Sequence, residues 1–252
     1  QGFFILHEGP IGHFNTKLFE GSYDDLTKSP VTQQSTGGWI GFTDKFWLVS
    51  LIPDPKSIVQ VDYAHKNDAY TAQFTSAAIN VKPGEASTYT YHVFAGAKVL
   101  RMLDGYESKV GVGHFDLAVD FGWFYFLTKP LFYALEFLAD FLGNLGLAIL
   151  ALTILFKLIL FPMATKSYRS MARLKNLQPK IQQIQNLYKN DRARLSQELM
   201  ALYKKEKVNP AGGCLPVLIQ APIFFCLYKV LFVSIEMRHA PFFGWIHDLA
   251  AP

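Results

Sequence analysis

The chain is poor in the residues and patterns that build catalytic or metal centres. Only two of its 252 residues are cysteine, Cys214 and Cys226, and about 18 Å would separate them along a helix, which is too far to pair. The histidines are scattered without the spacing of metal ligands, and no glycine-rich loop for binding phosphate is present. We therefore predict no catalytic residue, no metal, no cofactor and no small-molecule substrate, and we do not expect an enzyme.

Charge is also scarce. Charged residues make up 17% of the chain, whereas 50% of the residues are hydrophobic. Two long apolar runs each contain a single charge, Lys157 in the first and Lys229 in the second. Because about 20 apolar residues are needed to cross the hydrocarbon core of a bilayer, we predict two transmembrane helices, at residues 144–165 and 211–236.

The few charges are distributed unevenly. Residues 164–210, between the two apolar runs, hold eleven Lys and Arg and three acidic residues, a net charge of +8. The rest of the chain carries 13 basic and 17 acidic residues, a net charge of −4. Basic segments between membrane helices stay on the cytoplasmic side. We therefore predict that residues 166–210 are cytoplasmic and that residues 1–143 and 237–252 lie on the other side of the membrane.

Lys157 is the most informative single residue. A lysine within a membrane helix costs about 3 kcal/mol or more unless it meets water or a partner, so such a residue indicates a functional site. The alternative is a lysine whose side chain stretches to the cytoplasmic interface, where Lys166 and Arg169 follow. Position alone does not decide between these interpretations.

The first part of the chain belongs to a different structural class. Alternation such as Val59, Val61 and Tyr63, with turn signals between such stretches, is typical of antiparallel strands. We predict that residues 1–118 form an extracytoplasmic β-sandwich. Because the chain opens with strand-like residues and no signal or anchor, we expect it to be a truncated piece of a larger polypeptide.

A helix is predicted between the β-sandwich and the first membrane span. Apolar residues repeat at helical spacing over residues 123–141, polar residues such as Lys129 and Asp140 follow on another face, and Pro130 suits a first turn. Aromatic residues stand at its entry. This pattern predicts an amphipathic helix in the membrane interface.

Residues 166–208 predict a cytoplasmic hairpin of two short amphipathic helices, with Asn190 and Asp191 at the turn. The outer faces are basic. They would contact either anionic lipid headgroups or ribosomal RNA and acidic partners, and the candidate residues are Arg169, Arg173, Lys180, Arg192 and Arg194.

Four stretches carry a family resemblance, at residues 177–181, 196–204, 208–216 and 220–224. They strongly resemble the bacterial YidC membrane protein insertases, and residues 238–249 match the same family. Strong motifs cover residues 121–252. The β-rich part resembles, more weakly, the end of that family's large periplasmic domain.

The resemblance implies a mixed fold in the bacterial inner membrane: a periplasmic β-supersandwich, an interfacial helix, and a core of membrane helices with a cytoplasmic hairpin. Only the first two core helices have counterparts here. In the family a basic residue of the first core helix projects into a hydrophilic groove, and the matching residue is Lys157, where the best-known members have arginine. The groove residues expected from this match and from the facing helix are Lys157, Thr153, Ile219, Gln220, Ile223, Phe224 and Leu227.

The implied function is to insert newly made proteins into the membrane and help them fold. The implied partners are nascent membrane proteins, the ribosome, the Sec translocon and anionic lipids. Two other classes stay open at this stage. A polytopic transporter or channel would use Lys157 and Lys229 along a solute path, and a scaffold would bind a translocon without inserting anything.

Overall fold

A computed structural model describes residues 6–189, 191–206, 208 and 215–250. These residues form two compact units. The first, called here the β unit, comprises residues 6–129, 229–240 and 248–250. The second, the helical unit, comprises residues 241–247 and those of residues 130–228 that the structure describes.

The β unit contains two antiparallel sheets. One has five strands in the order β2-β1-β4-β5-β8, and the other has three in the order β3-β6-β7. Helix α1 (Tyr23–Lys28) precedes β3, and helix α2 (Leu100–Val110) and a 3-10 turn (Phe115–Ala118) follow β8. The strands are β1 (Gly9–Phe14), β2 (Lys17–Glu20), β3 (Val31–Thr36), β4 (Trp39–Thr43), β5 (Trp47–Pro53), β6 (Ile58–Lys66), β7 (Ala69–Ser76) and β8 (Tyr91–Ala97).

The predicted sandwich is confirmed, because side chains of both sheets share one apolar core. Phe14 and Ile40 enter it from the larger sheet, and Val61 and Tyr63 enter it from the smaller. The alternation along β6 therefore arises from one buried face, as period-two patterns predict.

Tyr63 joins the two sheets by hydrogen bonds within this core. Its hydroxyl donates to the Ile11 carbonyl (2.6 Å) and accepts from the Gly41 amide (3.1 Å). Burial raises the pKa of Tyr63, so the phenol stays neutral at any physiological pH. Gly41 is required there, because a Cβ would lie 1.9 Å from the Val49 carbonyl oxygen.

One of the helices, the one that begins at Leu145, is much longer than predicted. Helix α3 is Tyr125–Leu142, α4 is Leu145–Leu187, α5 is Arg192–Lys205 and α6 is Leu215–Val233. A short 3-10 turn, Ile235–Met237, follows α6. The 43 residues of α4 extend over roughly 64 Å, about twice the thickness of a hydrocarbon core.

Three sequence expectations about helix ends need correction. The helix that begins at Leu145 does not end near Thr165, because α4 continues to Leu187 and supplies the first arm of the hairpin. Only the second arm, α5, is a short separate helix. Pro130 is the sixth residue of α3 rather than part of its first turn. The start of the predicted span at residues 211–214, with Cys214, lies outside the described residues.

Two of the described helices are long and apolar enough to cross a membrane: an 18-residue segment within α4 has a mean hydropathy of 2.4, and the segment Pro216–Val233 has one of 1.9. Only 11% and 22% of these segments are buried. Such extensive exposed apolar surface is not stable in water, whereas helices satisfy their own backbone hydrogen bonds in lipid. The exposure therefore favours membrane helices over core helices of a soluble protein.

Replacing Tyr63 with phenylalanine should lower the free energy of unfolding of the β unit by about 1–3 kcal/mol, because the Ile11 carbonyl and Gly41 amide lose a buried partner. Thermal unfolding of the full-length protein would measure the change. The control is Tyr91→Phe, since Tyr91 is 62% exposed. Equal melting temperatures for the two variants would contradict the role given to the hydroxyl.

Candidate functional site

A cleft lies between α4 and α6 within the helical unit. Its lining includes six of the seven residues expected in a groove, together with two that the sequence did not single out: Thr153, Phe156, Lys157, Leu160, Gln220, Ile223, Phe224 and Leu227. Ile219 does not line the cleft, although it is the neighbour of Gln220, and its side chain is 40% exposed.

Helical spacing explains which side chains meet. On α4 the lining residues recur three, four and seven positions after Thr153, and on α6 they recur three, four and seven positions after Gln220. Residues at these intervals share one face of a helix. The same spacing applied to Thr153 would have found Phe156 and Leu160. A residue one position away, such as Ile219, points about 100° around the helix.

The cleft has few polar groups, and they differ in whether they already have a partner within the protein. The Lys157 ammonium lies 5.8 Å from the centre of the Phe224 ring, a distance at which a cation is attracted to the ring face. Within the described part of the chain, Lys157 makes no hydrogen bond or ion pair. The Thr153 hydroxyl donates to the Ile149 carbonyl of its own helix (2.8 Å), so only its oxygen lone pairs are available to an occupant of the cleft.

The orientation of Lys157 bears on the alternative of a lysine stretching to the interface. Lys166, where the basic segment begins, is nine residues farther along α4, about 14 Å away. The Lys157 ammonium instead lies over a ring of the facing helix. This geometry favours a role within the cleft.

The cleft is narrow. The space open to a water molecule is about 20 Å³, enough for about one water, and the lining is chiefly apolar. A polypeptide segment enters such a space only if the helices separate or if the cleft widens at its open side.

The five basic residues expected to contact partners all lie on the exposed surface of α4 and α5. Lys180 is paired with Glu206, with 2.8 Å between the ammonium and the carboxylate oxygen. Asp191 caps α5 by accepting a hydrogen bond from the Arg194 amide (3.0 Å), which fits the predicted helix start. The companion turn residue, Asn190, lies outside the described residues.

Lys229, the charge in the second apolar run, belongs to a different environment. Its ammonium lies 2.9 Å from an Asp120 carboxylate oxygen, and the residue is only 3% exposed. Asp120 also accepts hydrogen bonds from the amides of His7 (3.0 Å) and Gly122 (2.9 Å). Because Lys229 is neutralised within the β unit and does not line the cleft, the transporter interpretation loses one of its two path residues.

A second, partly buried ion pair joins the first part of α3 to the residues before it. The Lys129 ammonium lies 2.5 Å from Asp116 and 3.3 Å from Asp104, and the Tyr125 hydroxyl also donates to Asp116. The carboxylates of Asp104, Glu107 and Asp116 lie within 4.8 Å of one another, a grouping that could suggest a metal. Lys129 already supplies the positive charge there.

The same contacts govern ionisation at this cluster. Burial alone would raise the pKa of Asp116, but hydrogen bonds from Lys129 and Tyr125 hold it below its ordinary value. Burial would lower the pKa of Lys129, yet its bonds to Asp116 and Tyr125 raise it. Both groups are therefore charged at neutral pH. Sequence analysis missed this cluster, because its members come from separate elements and only Lys129 stood out.

Comparison with known proteins identifies relatives for the whole chain. The family model described as "YidC periplasmic domain" matches residues 1–134, and the model described as "60Kd inner membrane protein" matches residues 137–252. Two curated relatives, from Rickettsia bellii (strain OSU 85-389) and Rickettsia prowazekii (strain Madrid E), are each called "Membrane protein insertase YidC". Each is 54% identical over 254 residues, covering 98% of this chain and 45% of the relative.

The chain thus spans about half the length of the curated relatives it matches. Among solved structures, "Active YidC insertase crystal structure with the first transmembrane domain resolved" is similar with a TM-score of 0.45 and 17% identity, covering 97% of this chain and 67% of that one. That likeness is too weak to support a conclusion about this chain.

Replacing Lys129 with methionine should destabilise the β unit by about 1–3 kcal/mol, because the buried Asp116 carboxylate would lose its cation and keep the hydrogen bond from Tyr125. Unfolding of the full-length protein by heat or denaturant measures the loss. The matched double variant, Lys129→Met with Asp116→Asn, should recover most of it. A double variant no more stable than Lys129→Met alone would contradict the ion-pair explanation.

Proposed function

The chain belongs to the YidC family of membrane protein insertases, and we propose that, within the full-length protein, it helps to insert newly made proteins into the bacterial inner membrane. The observation that carries the proposal is the cleft between two membrane helices with Lys157 on its wall. A multi-pass inner-membrane protein with a periplasmic β domain accords with both matched family models. We assign the chain no catalytic chemistry.

Lys157 provides the electrostatic part of the mechanism. Its ammonium is held near an aromatic ring rather than a carboxylate, so it is available to an arriving anion. In a poorly hydrated site, two opposite charges about 8 Å apart attract each other by about 2 kcal/mol at an effective dielectric constant of about 20. Acidic residues in the hydrophilic tail of a substrate would be drawn to this point.

The apolar part of the cleft provides the path. Ile223, Phe224 and Leu227 form its α6 side and would contact the hydrophobic segment of the substrate. Burial of that segment in lipid drives insertion, so the reaction needs no nucleotide. Ile219, outside the cleft, would contact lipid or substrate at its margin.

Gln220 and Thr153 would supply the remaining polar contacts. The Gln220 amide both donates and accepts hydrogen bonds, whereas Thr153 is left as an acceptor. Together with Lys157 they would let a polar tail exchange hydrogen bonds with water for hydrogen bonds with the wall. This lowers the cost of bringing unpaired polar groups into an apolar space.

The cytoplasmic arm would receive substrates. Arg169, Arg173, Arg192 and Arg194 project from an exposed surface, a distribution suited to phosphate groups of ribosomal RNA or anionic lipid. Lys180 would contribute less because Glu206 neutralises it locally. Nascent membrane proteins, the ribosome and the Sec translocon are the proposed partners.

Neutralising Lys157 should lower the insertion of substrates with acidic translocated tails by on the order of tenfold. This factor corresponds to a loss of about 1.4 kcal/mol of attraction between the tail and the cleft. Lys157→Arg should preserve insertion, because the charge remains, and Lys157→Glu should be worse than Lys157→Ala because attraction becomes repulsion. The measurement is an insertion assay with full-length protein and substrates that differ only in tail charge.

Lys166→Ala is the matched control, because it removes a lysine from the same helix outside the cleft. A loss that is equal for acidic and neutral tails would refute the electrostatic role. An equal loss in the Lys166 variant would refute the assignment to the cleft.

Replacing Arg169, Arg173, Arg192 and Arg194 together with glutamine should weaken salt-dependent binding to ribosomes. The membrane helices should stay folded, because all four side chains are exposed. Co-sedimentation of full-length protein with ribosomes, and separately with anionic vesicles, measures the effect. Lys180→Gln serves as the single-residue control and should change little. Unchanged binding to both would remove the hairpin from recruitment.

A further inference from the structure

The segment Pro241–His247 forms a tight loop that the proposed function does not use. The Phe242 amide donates to the Ile246 carbonyl (3.0 Å), and the Ile246 amide donates to the Phe243 carbonyl (3.3 Å). Gly244 lies at the tip with φ of 63°, a backbone conformation that favours glycine. The loop therefore has a defined shape.

The loop is attached to the beginning of α4. The Asn144 side-chain amide donates to the carbonyls of Pro241 (3.2 Å) and Phe242 (3.4 Å). The carbonyl oxygen of the same side chain accepts from the Leu147 amide (3.0 Å) and so caps the helix. One residue thus fixes the loop at the level where the apolar run of α4 starts.

Close packing reinforces the attachment. A Cβ at Gly146 would lie 2.3 Å from a ring carbon of Phe242, so the ring rests directly on the glycine backbone. Phe242 therefore anchors the loop to α4, whereas the other two aromatic residues of the loop, Phe243 and Trp245, do not.

Those two aromatic side chains are largely exposed, although the Phe243 ring contacts the Phe242 ring, with 4.9 Å between the ring centres. Trp245 is 87% exposed and Phe243 is 57% exposed, and residues 240–246 carry no charge. Burying a phenylalanine side chain is favourable by about 1.5–3 kcal/mol relative to leaving it in water. The exposed tryptophan ring adds to this cost. Because the defined shape of the loop keeps both rings exposed, their contact with water would be unfavourable. We therefore expect something other than water to cover them.

We propose that Phe243 and Trp245 insert into the periplasmic leaflet of the bilayer and form a membrane-anchoring site at the start of α4. Three observations favour lipid as the occupant: the loop lies at the first turn of a membrane helix, it is uncharged, and Leu150 and Ile154 farther along α4 are likewise exposed. Tryptophan prefers this interfacial depth, because its ring is apolar and its N–H can reach the headgroups. The anchor would hold the outer end of α4 at a fixed depth.

Tryptophan fluorescence tests the proposal in the full-length protein. The chain contains four tryptophans, and Trp39 is fully buried, which makes it an internal standard of folding. The reference protein has Trp47, Trp123 and Trp245 replaced by phenylalanine. The test protein keeps Trp245, so the difference between the two emissions belongs to that residue. Tryptophans of the full-length protein outside this chain are common to both proteins and cancel.

Both proteins are reconstituted in phosphatidylcholine vesicles with or without brominated acyl chains, and acrylamide is added separately. We expect brominated lipid to cause a roughly twofold loss of the Trp245 emission and acrylamide to cause little loss, as for a ring at the interface. Quenching by acrylamide and not by brominated lipid would place Trp245 in water and overturn the proposal. Quenching by neither would mean that another part of the protein covers the loop, and it would equally overturn the proposal.

Discussion

A charge that leaves water needs a partner, and two lysines of the membrane helices meet this requirement in opposite ways. Lys229 is buried against Asp120, whose carboxylate is further held by two backbone amides. Lys157 faces an aromatic ring and, within the described residues, no anion. In the first arrangement, the ion pair stabilises the fold. The second leaves the Lys157 charge without an anion among the described residues, and its proposed role depends on this feature.

Of the residues that line the cleft, the sequence analysis named all four on α6, with Ile219 in addition, but only two of the four on α4. Along α4, only the polar residues Thr153 and Lys157 stood out in the apolar run, and the apolar residues between and beyond them did not. Helix α6 is apolar around most of its circumference, and nothing local distinguishes Ile219 from Ile223 as the residue facing α4. Likewise, no local pattern could join Lys229 to Asp120, which is 109 positions away in the chain. That contact exists only through the tertiary fold.

The β unit shows the same division between local and tertiary information. Alternation along β6 correctly identified the buried face with Val59, Val61 and Tyr63. Alternation along β8 is equally regular, yet Tyr91 and Val93 are 62% and 58% exposed, and the buried residue is Phe94 on the other side. Period two reveals that a strand has two faces. Which face is covered depends on the elements that pack against it.

The unbroken length of α4 has a mechanical consequence. About 45 Å of helix separates Lys157 from the end of α4 at Leu187, and no gap in the helix interrupts this distance. Pro162 and Pro179 lie within this stretch, and each removes one backbone hydrogen bond from the helix, so they are the points at which α4 bends most easily. Part of any displacement of the far end is therefore taken up at these prolines before it reaches Lys157, where the space beside α6 admits about one water molecule.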